Sequence, residues 1–247
     1  MLIVDVHAHL DFEQYNKDLD KVLERAKEAG VVSVICNGID PKTNRKILEL
    51  AKKHPLITPA LGFYPCECDK VPTEEVNKEI EFIRKQKPVA IGEVGLDKKW
   101  DNNFEKQQKC FRKFIKLSQK LDIPLIVHSR MAEEKTIDIL EKLNAKKVVM
   151  HCFSGNKKLV ERCINNKWNF SVPTNIVRNQ QFQEMVAMIP LNQILTETDS
   201  PFLTHDASIK RNEPMFITES LKKIAEIKKL DAEEMANIIY SNYQRLF

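Results

Sequence analysis

Cysteine is scarce: six residues in 247, at positions 36, 66, 68, 110, 152 and 163, with no CxxC pair. That density excludes a disulfide-dense secreted scaffold. The six read as reduced thiols, most of them packed as small apolar groups. Long apolar runs are lacking too. The opening MLIVDVHAHL is interrupted by Asp5, His7 and His9, so it reads as neither a signal peptide nor a membrane span. The expectation is a cytoplasmic chain without a membrane partner. Charge of one sign is not in large excess. A net charge of +4 does not suggest a general nucleic-acid coat, although it permits an anionic substrate. No repeat, low-complexity tract or composition break divides the chain, so 1–247 reads as one domain, and no obligate protein partner is indicated.

What is present is a globular composition, 43% hydrophobic and 30% charged. Short β-branched runs at 2–6, 31–36, 57–61, 89–93, 125–128, 148–151, 169–172 and 193–196 alternate with helical patterns. Several are apolar at successive positions, which suits strands covered on both faces of a parallel sheet. Between them, Leu19, Val22, Leu23 and Ala26 keep helical spacing, and Gly30 suits the cap of that helix. Phe104, Phe111, Phe114, Ile115 and Leu117 form a longer stripe. Lys87-Pro88 and Ile123-Pro124 end helices just before strands. Eight strand–helix units in a chain near the usual 250 or so residues predict a single-domain (β/α)8 TIM barrel. A doubly wound open sheet is the runner-up.

The chemistry-bearing residues fall where such a barrel keeps its active site, at the carboxyl ends of strands. His7 and His9 close the first apolar run at a spacing that turns both rings to one side. Glu93 ends the fourth run, His128 the fifth and His151 the sixth, and Asp199 follows the eighth. A carboxylate closing an apolar strand is costly unless paired or metal-bound. Imidazole and carboxylate donors together suit Zn, Mn, Fe or Ni, and a more carboxylate-rich shell suits Mg. Arg130 and Arg211 carry guanidinium forks that match phosphate oxygens.

The motifs DVHAHL (5–10), IGEVGLD (91–97), HSR (128–130), HCFSG (151–155), ETDSP (197–201) and RNEP (211–214) run in order over nearly the whole chain. With them the sequence resembles the TatD family of metal-dependent deoxyribonucleases, within the amidohydrolase-like barrel superfamily. The resemblance implies two divalent ions, Mg, Mn or Zn. It places one on His7, His9, Glu93 and Asp199 and the other on Glu93, His128 and His151, with Glu93 bridging. Asp199 is the candidate to orient and deprotonate the attacking water, with Glu93 beside it in the catalytic set. Arg130, Ser154, Arg211, Asn212 and Tyr64 are the candidate substrate contacts. Tyr64 stands where the family often has the histidine of a GxHP motif. Lys98 and Lys99 stand where it often has aromatics.

The function expected is a phosphodiesterase acting on nucleic acid, DNA first, at single-stranded ends. Two alternatives stay open: an acyl-ester hydrolase such as an aminoacyl-tRNA deacylase, and a nucleic-acid-binding protein with a vestigial site. Cys66 and Cys68 read as packing or surface thiols, His54 as a turn residue, and the lysine-rich helical faces as solvated surface.

Overall fold

The computed structural model describes residues 1–100 and 103–247. Eight strands are described: β1 (Ile3–Ala8), β2 (Val31–Asn37), β3 (Ile57–Leu61), β4 (Ala90–Gly95), β5 (Leu125–His128), β6 (Val148–His151), β7 (Asn169–Val172) and β8 (Ile194–Thr196). Interleaved with them are α1 (Leu19–Glu28), α2 (Pro41–Lys53), α3 (Pro65–Lys70), α4 (Thr73–Gln86), α5 (Phe104–Leu121), α6 (Glu133–Lys142), α7 (Lys157–Asn165), α8 (Gln180–Met188), α9 (Ile217–Lys228) and α10 (Ala232–Leu246).

The strands form one sheet in the order β1 to β8, a (β/α)8 TIM barrel. The runner-up is excluded, because a doubly wound sheet reverses its strand order at a switch point and this one does not. Near closure occurs where β8 meets β1: Asp199 N donates to His7 O at 2.8 Å, and His9 N donates to Ser200 O at 2.8 Å.

The chain divides into two compact units. The first comprises Met1–Cys36, Glu49–Thr58 and Phe170–Leu246; the second is Asn37–Leu48 and Pro59–Asn169, with Phe247. In the first, α1 turns the buried Val22, Leu23 and Ala26 inward, and β1 is buried at every position. In the second, α5 buries Phe111, Phe114 and Ile115. Its N-terminus is capped by Asn103, whose side chain accepts from Lys106 N at 3.0 Å. Full burial of each such apolar side chain contributes on the order of 1.5–3 kcal/mol.

Two strands run two residues further than the apolar runs suggest, and β2 runs one further, to Asn37. β1 continues to Ala8 and β4 to Gly95, so His7 and Glu93 lie inside their strands. In both, the parallel register shifts before the polar end, between Asp5 and Ala8 and between Ile91 and Val94. Pairing therefore persists through residues whose polarity looked like a strand end.

The reading of six reduced thiols is also corrected. Cys68 in α3 and Cys110 in α5 are joined by a disulfide across 42 residues of sequence. Cys36, Cys66, Cys152 and Cys163 form no disulfide among the described residues. Spacing alone could not reveal the pair, because the two helices are brought together only by packing. Among the described residues, no helix is long and apolar enough to cross a membrane.

Candidate active site

The first unit supplies His7, His9 and Asp199. Alternation along β1 sends Asp5 and His7 to one side. Beneath them Asp5 is wholly buried and accepts from Thr198 Oγ1 at 2.5 Å, Thr198 N at 2.9 Å and His7 N at 3.2 Å. These bonds fix the backbone just before Asp199. Burial pushes the Asp5 carboxyl up to about 7, against the lowering effect of the bonds from Thr198 and His7. Asp199 itself adopts a left-handed conformation, φ 53°, which aspartate tolerates better than bulkier residues.

His7 Nε2 and His9 Nε2 are 3.2 Å apart. Asp199 Oδ1 lies 3.6 Å from the first and 3.5 Å from the second. Donors bound to one ion at about 2.0–2.2 Å, in tetrahedral or octahedral arrangement, sit roughly 2.9–3.6 Å from one another. All three separations fall in that range, and the donor types suit a borderline divalent cation. The set therefore fits a metal. His9 is held by stacking on Phe12, with centroids 4.9 Å apart.

The second unit supplies Glu93, His128 and His151. His128 Nδ1 lies 2.8 Å and His151 Nε2 4.0 Å from the same oxygen, Glu93 Oε1. The two rings are stacked at 6.1 Å. Gly95 permits this arrangement. It adopts φ +145°, and a Cβ there would meet His128 O at 1.9 Å, so any side chain would push β5 away from β4.

Asp97, buried just past β4, was not singled out from the sequence. Asp97 Oδ2 accepts from Tyr64 Oη, from Arg130 Nε at 2.9 Å and from Arg130 Nη2 at 2.6 Å. It also lies 3.0 Å from His128 Nε2. Burial opposes its charge, but the bonds from His128, Tyr64 and Arg130 outweigh burial and hold the carboxyl well below the usual carboxylate range. His128, between Glu93 and Asp97, is driven the other way. Burial disfavours its imidazolium, yet both carboxylates raise its pKa above the ordinary value. The available signal was period-two spacing from Glu93 through Gly95 to Asp97.

The candidate substrate contacts divide. Arg130 and Tyr64 belong to the Asp97 cluster, and Arg130 Nη2 also donates to Tyr64 Oη at 2.8 Å. The Tyr64 hydroxyl hydrogen is thus committed to Asp97. Arg130 remains 40% exposed and can still present an edge to a phosphate. Ser154 Oγ donates to Glu133 Oε1 at 2.9 Å, at the start of α6. Arg211 pairs in a fork with Asp18 at 2.8 and 2.7 Å, and with Glu213 at 2.6 Å. Asn212 is fully buried, with Nδ2 bonded to Thr174 Oγ1, Thr198 O and Phe202 O at 2.8, 2.8 and 2.7 Å. Both residues therefore pin the late loop, and Asn212 positions the segment that carries Asp199.

Known proteins share this chain's length and layout. An uncharacterized metal-dependent hydrolase, YabD of Bacillus subtilis (strain 168), is 36% identical over 252 residues, covering 100% of this chain and 99% of its own. The 3'-5' ssDNA/RNA exonuclease TatD of Erwinia tasmaniensis is 32% identical over 259 residues, 98% of either chain. The crystal structure of YJJV, a TatD homolog from Escherichia coli K12, superposes with a TM-score of 0.92 at 27% identity, covering 99% of this chain and 97% of the other. The family described as TatD related DNase matches residues 4–247, and the chain belongs to it, as a metal-dependent hydrolase of the TatD family.

Proposed function

We propose that this protein hydrolyses phosphodiester bonds at the ends of single-stranded DNA with two divalent metal ions, one at each donor set. The observation that carries the reading is the convergence of His7, His9 and Asp199 within 4.8 Å of one another. It is supported by the family's description and by the similarity to an exonuclease of single strands.

Bound divalent cations would polarise a phosphoryl oxygen and acidify a water. Asp199 would ligate through Oδ1, the atom nearest both histidines, and use Oδ2 to orient that water and take its proton. Its 15% exposure leaves it more open to solvent than His7 or His9. Glu93 would hold the second ion together with His128 and His151, and its Oε1 already lies 2.8 Å from His128 Nδ1. Arg130, fixed by Asp97 and Tyr64, would hold a non-bridging phosphate oxygen through its exposed edge. Asp97 keeps that guanidinium aimed, and so acts as a positioning residue.

Release of label from end-labelled single-stranded DNA, RNA and charged tRNA, each with Mg, Mn or Zn, tests the proposal. Mononucleotide release from DNA is the expected result. Deacylation of tRNA without nucleotide release would make the protein an acyl-ester hydrolase instead. Purified protein that retains no metal and cleaves nothing would leave a binding protein with a vestigial site.

A further inference from the structure

Residues 97–100 form a strap whose backbone is tied down while its last side chain stands in solvent. Asp97 N donates to Gln107 Oε1 at 2.9 Å, Lys98 N to Arg130 O at 3.0 Å, and Lys99 N to Asp97 Oδ1 at 2.9 Å. Trp100 O accepts from Cys66 Sγ at 3.8 Å. Yet Trp100 is 58% exposed. A single exposed apolar residue needs no explanation, but this one has company. Met131 follows Arg130 in the chain, is 63% exposed and adopts φ 55°. The Lys98–Arg130 bond therefore brings together two loops that each present a large apolar side chain to water. Both loops also carry cations. Lys99 Nζ lies 5.1 Å from the centre of the Trp100 ring, Lys98 Nζ lies 6.0 Å from the centre of the Phe104 ring, and Arg130, on the second loop, is 40% exposed.

An indole on a fixed backbone, with one ammonium group over its ring and a further lysine and an arginine on the two bonded loops, matches one chemical class. Single-stranded nucleic acid presents a flat apolar base beside every phosphate, and non-specific binding sites for it combine aromatic faces with cations. A peptide or lipid occupant would leave either the phosphate-binding cations or the flat ring without a counterpart. We propose that Trp100 and Met131 form a base-stacking platform, with Lys98 and Lys99 receiving the adjoining phosphates, that seats a nucleobase next to the Asp97–Arg130 cluster. The proposal deepens the nuclease reading and rests on it for the identity of the strand.

The platform can be tested without turnover. The chain has two tryptophans, and Trp168 is buried, its Nε1 donating to Ala145 O at 2.9 Å. Stacking of a base is therefore read from Trp100 emission. With chelator present, a short oligothymidylate should quench that emission saturably, and an abasic oligonucleotide of equal length should not. By anisotropy of a labelled oligothymidylate, Trp100→Ala should weaken binding about 5- to 150-fold, the factor for one base on one aromatic. Trp100→Phe should restore most of the loss, which a merely structural role of the indole would not predict. Equal quenching by the abasic strand, or Trp100→Ala binding like wild type, would overturn the platform. Hydrolysis by the metal-loaded protein is scored separately. Base-dependent quenching without cleavage supports the platform and refutes the nuclease reading, whereas cleavage without it does the reverse.

Discussion

Replacing Arg211 with alanine removes a fork to Asp18, a bond to Glu213, a bond to Gln14 O at 2.6 Å and a cation–π contact 4.9 Å from the Tyr15 ring centre. Sequence alone pointed to a phosphate contact, which would appear as a roughly tenfold or larger rise in KM. The structure assigns a different cost. Asp18 is partly exposed, so its pair is screened and contributes only a fraction of a buried one. Glu213 is only 10% exposed, but it keeps Arg25, which reaches it through three bonds of 2.7–2.9 Å. No buried charge is left unpaired by the substitution. The sum is about 1–2.5 kcal/mol, between a surface pair and a well-formed charge-assisted bond. In a chain this long, each kcal/mol lowers the melting temperature by about 2–4 °C, so a fall of roughly 2–10 °C is expected. Differential scanning calorimetry should show that fall, while KM for single-stranded DNA changes less than about threefold, well short of a lost charge-assisted contact. A tenfold higher KM with an unchanged melting temperature would refute the reasoning and return Arg211 to the substrate.

Asp199→Asn keeps a carbonyl ligand and removes the basic oxygen, so turnover should fall at least about 100-fold while bound metal, measured by elemental analysis, stays substantial; near-normal turnover would remove Asp199 as the base. Asn212→Ala strips buried partners from Thr198 O and Glu213 N and a half-buried one from Phe202 O. It should cost about 2–4 kcal/mol in a denaturant titration, since each unsatisfied buried group costs roughly 1–3; a loss under about 1 kcal/mol, the bottom of that range for a single group, would show that water replaces the amide. Added Mn or Zn should raise the thermal midpoint of chelator-treated protein, by the equivalent of about 2.7 kcal/mol at a hundredfold excess over Kd. His7→Ala should shrink that rise, and an undiminished rise would place the metal elsewhere.

Much of the fold was legible because barrel strands are covered on both faces and so write themselves as apolar runs, as in Val148–His151 and Leu125–His128. The histidines were legible for the same reason: each interrupts such a run at its carboxyl end. What was not legible depends on partners remote in sequence. Arg211 looked like a free fork because Asp18 is 193 residues away. Asn212 looked like a loop donor because Thr174 and Thr198, which it joins, belong to other segments. Cys68 and Cys110 meet only through packing of α3 on α5. Asp97 escaped notice because a loop aspartate two residues past a glycine is ordinary turn composition, and only folding delivers His128, Tyr64 and Arg130 to it.

Asp5 and Asp97 show how one residue type is put to two uses. Both are fully buried, so burial opposes the charged form of each. Asp5 meets only neutral donors, the hydroxyl and amide of Thr198 and the amide of His7, with Glu197 as a further negative influence. Its carboxyl consequently rises to about 7. Asp97 meets the guanidinium of Arg130 as well as Tyr64 and His128, and is held far below that. Asp5 therefore works through hydrogen-bond geometry, fixing the backbone that presents Asp199. Asp97 works through charge as well as geometry: its negative form is the counterweight that lets a cationic Arg130 stand half in solvent with its outer edge aimed away from the protein. A metal ligand needs the first device, because its position must be rigid, and a phosphate-binding cation needs the second, because it must stay charged and accessible.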